Sequence, residues 1–160
     1  MDQDNQAEFI NTHYEKLQPT EGPNTFKHGL SKFIVDYARE HTRLHLIICN
    51  SNRSKNGRLY LLNELFPQNE YVRILVHFDI PDDVLYERVA RSTRSTNIFR
   101  GGYSNFKEVL DRQQAESLHE DVVDPENEAD YLFVIHDSKD VNTTIEEIVH
   151  LAKDLSPIPK

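Results

Sequence analysis

Cysteine is nearly absent: the 160-residue chain has one, Cys49. A lone thiol excludes an internal disulfide framework, and without a C-x-x-C or a His/Cys cluster the sequence offers no zinc site. Glycine is also scarce. Its five positions, Gly22, Gly29, Gly57, Gly101 and Gly102, contain no G-x-x-x-x-G-K-S/T, so no loop is present to cradle phosphates with backbone amides. No run approaches the roughly 18 apolar residues of a membrane helix, and the opening MDQDNQAEF lacks the basic and apolar regions of a secretory leader. These absences predict a soluble, cytoplasmic chain with no membrane partner. The eight histidines show no H-x-H or H-E-x-x-H spacing, which argues against histidine ligation of a metal. A Ser/His/Asp hydrolase is disfavoured by the missing G-x-S-x-G elbow.

What is present is enough for an ordinary core. Hydrophobic residues make up 38% of the chain, with seven tyrosines and eight phenylalanines, so one domain over 1–155 is expected, followed by a proline-containing tail at 156–160. The formal charge of −9 opposes a whole-surface affinity for nucleic acid, because phosphate binding needs local cations. One stretch departs from that average. Arg88, Arg91, Arg94, Arg100 and Lys107 follow one another without an intervening Asp or Glu, forming a basic island in an acidic protein.

Apolar periodicity orders the elements. Phe26, Leu30, Phe33, Ile34, Tyr37 and Ala38 recur at helical spacing and lead into the apolar run Leu44 to Cys49, which reads as a buried strand. A helix over about Gly57 to Phe66 precedes a second apolar stretch, Val72 to Phe78, suited to a strand covered on both faces. Pro81 with Asp82 and Asp83 marks a helix start, which runs into the basic island. Ser104 is a candidate N-cap for a helix to about His119, and Tyr131 to His136 reads as a third strand. Thr143 and Glu146 suggest a capping box for a last helix, with Ile145, Ile148, Val149 and Ala152 on one face. Helices alternating with strands predict an α/β fold with a mainly parallel sheet, whose sites lie after Cys49, Phe78 and His136 at the carboxyl ends of the strands.

Four segments together resemble one family. IICNSNRSKNGR (Ile47 to Arg58) is similar to a strand end followed by an Asn-containing loop and a helix-opening Arg, matched here by Asn52 and Arg58. HFDIPDDVLYERVARSTRS is similar to a strand, a Pro-acid helix start and an arginine-bearing lid. ADYLFVIHD (Ala129 to Asp137) resembles a final strand ending near an adenine, and MDQDN resembles a second strand whose end carries an acceptor-activating Asp, matched best by Asp4 and alternatively by Asp2. The pattern resembles the nucleotide-kinase and polynucleotide-kinase branch of the P-loop phosphotransferases, above all the kinase domain of RNA-repair and tRNA-ligase enzymes and their stand-alone bacterial relatives. That resemblance covers nearly the whole chain.

It implies a three-layer P-loop kinase-like fold, ATP and Mg²⁺ as cofactors, and transfer of a phosphoryl group to a nucleoside, a nucleotide or an RNA 5′-hydroxyl. Asp4 or Asp2 becomes the catalytic base. Arg91 and Arg94 contact phosphate from the lid, with Arg100 beside them, while Asn52 and Arg58 face the acceptor and Arg88 and Asp137 the nucleotide. Plain alternatives exist for each: a solvated helix face, a cap, a turn, a structural ion pair. Two departures weigh against activity. The sequence holds no counterpart of the first strand and its P-loop, and Cys49, a poor ligand for a hard cation, stands where many relatives have an Asp that helps hold Mg²⁺. The missing strand belongs between Leu44 to Cys49 and Val72 to Phe78. The expectation is therefore a protein longer at its N-terminus, a second chain supplying the strand, or a degenerate relative that rearranged its sheet. A non-catalytic kinase-like module that binds nucleotide, RNA or a protein partner is the competing reading.

Overall fold

A computed structural model describes residues 1–21, 25–99 and 102–155. Helix α1 (Gln3–His13) opens on Asp2, whose carboxylate accepts from the Asp4 amide at 2.9 Å and satisfies one of the orphan donors of the first turn. After a short 3₁₀ turn, α2 spans Thr25–His41 and packs on α1 through a polar seam. There Gln3 Nε2 donates to Ser31 Oγ at 3.3 Å, and Ser31 donates to Gln6 Oε1 at 2.8 Å. The buried positions of α2 are Ser31 and Val35 rather than the expected Phe33 and Tyr37, which lie exposed and stack along the outside with His41.

Helix α3 (Lys55–Tyr60) continues through a π turn (Leu61–Leu65) that turns Leu62 and Leu65 into the core. Strand β1 (Ile74–Phe78) is followed by α4 (Asp82–Ala90), which begins just after Pro81 as its sequence predicts. Helix α5 (Phe106–Glu116) is capped by Asn105, not Ser104; the Ser104 amide and hydroxyl are both held by Glu108 instead. Strand β2 (Tyr131–Ile135) leads through a 3₁₀ turn capped by Asp137 into α6 (Val141–Leu155). That turn starts the helix ahead of Thr143, so Thr143 lies inside it rather than at its cap.

The sheet is a parallel pair, β1 against β2, with Ile74 opposite Tyr131 and Phe78 opposite Ile135. The molecule is thus α/β with a small parallel sheet. Leu44 to Cys49, expected as a buried strand, is not one. Among the described residues its one bridge is to the chain start, where the Cys49 amide donates to Met1 O at 2.9 Å in a parallel bridge between Asp2 and Cys49. Leu44 and Ile47 are about three-quarters exposed, and Cys49 is exposed too. The physical reason is that apolar character favours burial, but a strand also needs a partner for its amides, and this run has one bridge only.

The same deficit shows on β1. Arg73 O accepts from Tyr131 at 3.1 Å and the Asp79 amide donates to Ile135 O at 3.0 Å, so odd-numbered positions bond to β2. The amides and carbonyls of Ile74, Val76 and Phe78 consequently turn to the other edge, which no ladder covers among the described residues. Val76 and Phe78 are exposed, as are Leu132 and Val134 on β2 and Ile145 and Val149 on α6. The core that does form gathers Ala7, Ile10, Val35, Leu62, Leu110 and Ile135.

Candidate functional site

Asp4 sits in the first turn of α1, where a carboxylate complements the helix dipole. Its Oδ2 stands 2.6 Å from Nη2 of Arg94, a residue 90 positions later in the chain, so the structure brings the two together. The Arg94 guanidinium also lies 5.0 Å over the Phe106 ring, a cation–π contact that fixes its orientation. The Asp2 carboxylate instead caps α1, accepting from the Asp4 amide. Arg91 does not join it either. It pairs with Glu87 on its own helix at 2.6 Å and is almost fully exposed. Arg100 lies outside the described residues.

Arg88 reaches across from α4 and donates to Ser138 Oγ, beyond the carboxyl end of β2, while the neighbouring Asp137 is held by Lys139 instead. Asp137 accepts from the Lys139 amide at 3.0 Å and pairs with Lys139 Nζ at 3.3 Å. The Lys139 backbone N–H, with its ammonium, holds that carboxyl below the usual range. Beside it His136 Nδ1 lies 3.0 Å from Asp79 Oδ2, joining the residues that follow the two strands.

Asn52 and Arg58 form the third group. Asn52 adopts a left-handed backbone (φ 35°), which Asn tolerates better than most residues, and its side chain accepts from Asn50 at 3.0 Å. The loop it shapes borders an open cavity of about 280 Å³, flanked by Arg112, Gln113 and Glu116 of α5. Arg58 is turned away into the interior. It makes a bidentate pair with Glu128 at 2.7 Å per bond and donates to the carbonyls of Asn52, Arg53 and Val123. The Arg58 guanidinium holds the Glu128 carboxyl below its ordinary range against the opposing effect of burial.

Some of these partners had no sequence signal. Glu128 is an acid in a polar loop, and Asn11 is one asparagine among several; only the fold sets Asn11 Nδ2 2.7 Å from Asn97 O and 3.3 Å from Phe99 O. Asp121, which takes the Ser54 hydroxyl and the Asn56 amide and so fixes the start of α3, was equally silent.

The residues present do not fit the Mg²⁺ that the resemblance implies. The Cys49 thiol is exposed at the end of its extended run, and among the described residues no three His, Cys, Asp or Glu side chains gather to hold a metal. Among the described residues Gly29 and Gly57 lie inside α2 and α3 rather than in a loop that could cradle ATP phosphates. No helix among the described residues is long and apolar enough to cross a membrane. No family model matches the chain, and neither a curated protein nor a solved structure matches it.

Proposed function

We propose that this chain is the acceptor and lid portion of an ATP-dependent phosphotransferase of the P-loop kinase type, acting on a nucleoside, a nucleotide or an RNA 5′-hydroxyl. What supports the reading is one observation: Asp4 and Arg94, the base and the phosphate contact implied by the resemblance, are 90 residues apart in sequence and 2.6 Å apart in space. In this reading the Asp4 carboxylate takes the proton of the acceptor hydroxyl as its oxygen bonds to the transferred phosphorus. The bond to the departing diphosphate breaks, and Arg94 offsets the charge on the transferred group. Arg88 and Asp137 border the nucleotide, and Asn52 borders the acceptor.

The chain as it stands lacks the phosphate cradle. An added strand, from a second chain or from further sequence of the same gene product, would meet the outward amides of Ile74, Val76 and Phe78 and the run Leu44 to Cys49, which holds one bridge. A second reading, a non-catalytic binding module for nucleotide, RNA or a protein partner, draws on Cys49 and the missing cradle. Calorimetry with ATP, and transfer of its terminal phosphoryl group to a 5′-hydroxyl oligoribonucleotide, separate the two. Both are measured on this chain and on any natural form carrying sequence ahead of Met1. Transfer that is lost in Asp4→Asn supports the enzyme reading; no transfer by either form sinks it and leaves the binding module.

A further inference from the structure

The segment after α4 is tied to α1 at two places about two turns apart. At the first turn of α1, Asp4 holds Arg94 at 2.6 Å. Further along, Asn11 Nδ2 donates to the carbonyls of Asn97 and Phe99 at 2.7 and 3.3 Å, one inside and one just after the 3₁₀ turn Thr96–Ile98. Asn11 is itself oriented. Gln18 Nε2 donates to its Oδ1 at 2.6 Å, which leaves the amide hydrogens pointing at the segment. The far end of the segment is packed by rings, Phe99 against Phe106 at 4.9 Å, with Arg94 over the same Phe106.

Two carbonyls captured by one amide define a docked position, and they set Arg94 where its fork meets a carboxylate. A guanidinium engaged in this way is not free to take a second anion on the same edge. We infer that Asn11 is a positioning residue that, with Asp4, straps Ser92–Phe99 onto α1, and that a polyphosphate group reaches Arg94 by displacing the Asp4 carboxylate. The strap rests on contacts alone; the displacement rests on the phosphotransferase reading above. On that reading the displacement has a use, because it frees Asp4 to act as base only when an anion has taken its place at Arg94.

Hydrogen exchange of the Asn97 and Phe99 amides tests the strap without any ligand. Both amides bond within the turn, to Ser95 Oγ and Thr96 O. Asn11→Ala and the isosteric Asn11→Asp, which lacks the donating amide, should each speed their exchange about five- to tenfold, the scale of one lost hydrogen bond. Amides of α6 should stay unchanged, reporting an intact fold. Unchanged exchange at Asn97 and Phe99 in both variants overturns the strap. The displacement is read by calorimetry with inorganic tripolyphosphate on the whole chain. Asp4→Asn should bind it about two- to fivefold more tightly than the native chain, the scale of an exposed ion pair, and Arg94→Ala should lose the binding. Equal or weaker binding by Asp4→Asn overturns the displacement. Failure of phosphoryl transfer alone bears on the enzyme reading and leaves the exchange result standing.

Discussion

Arg58 and Arg94 show how differently two arginines can be used. Arg58 is buried against Glu128, the side chains 7% and 3% exposed, and every carbonyl within its reach is one that the Asn50 to Ser54 loop or the α5 to β2 connection must have satisfied. Removing one partner strands a charge in the interior. Arg58→Ala is expected to cost about 3 kcal/mol, read by urea denaturation, because the loss of half a buried pair is far costlier than the pair's net worth. The same pair sets a pH dependence. The folded Glu128 carboxyl titrates below its unfolded value, so its stabilisation is fully present above the ordinary glutamate range and is lost as pH falls below that range toward the depressed folded value. In Glu128→Gln that part of the acid limb should disappear, checked by thermal melts from neutral pH down to about pH 3. Arg91, by contrast, is an exposed i,i+4 partner of Glu87. Arg91→Ala should change stability by no more than about 0.5 kcal/mol, so any larger loss of phosphoryl transfer in that variant reports on chemistry rather than folding.

At the scale of elements, starts were better marked than contacts. The Pro81, Asp82, Asp83 sequence placed the beginning of α4 because the proline ring and the acids act within their own turn. Helix α5 shows the limit of such local signals. Ser104 and Asn105 are adjacent and both are good caps, and the choice fell to Asn105, whose side chain accepts from the Glu108 amide at 3.0 Å while Glu108 reaches back to Ser104. Those Ser104 bonds, the backbone one first, hold the Glu108 carboxyl below its usual range. Asn105→Ala is expected to cost about 1 kcal/mol and Ser104→Ala less, since the Ser104 amide survives that change; guanidinium denaturation of the two variants checks the order. The α2 face went the other way from its periodicity. Ser31 and Val35 are buried because the Gln3 and Gln6 side chains on α1 supply a polar seam, which no spacing of apolar residues announces.

The whole molecule carries more apolar surface than its two-stranded sheet can cover. Phe78 is 57% exposed at the end of β1, and the exposed faces of β2 and α6 follow it. Unpaired amides beside exposed apolar side chains make an adhesive edge. The chain alone is expected to associate with rising concentration in sedimentation velocity. Phe78→Lys should lower that association with little loss of stability, because a charge on an edge strand blocks further pairing without emptying a core.

The sequence by itself determined where β1, α4 and β2 lie, the parallel character of the sheet, the basic island that begins in α4 and the scarcity of glycine. These are properties of composition and of interactions within a turn or two. Tertiary structure alone decided that Leu44 to Cys49 holds a single bridge rather than a place in the sheet, that Arg58 faces Glu128 inside, and that Asn11 and Asp4 meet the segment carrying Arg94. Each of those outcomes depends on which backbone or side chain arrives from far along the chain. A hydrogen bond needs its partner within about 3 Å, and no local pattern encodes that distance.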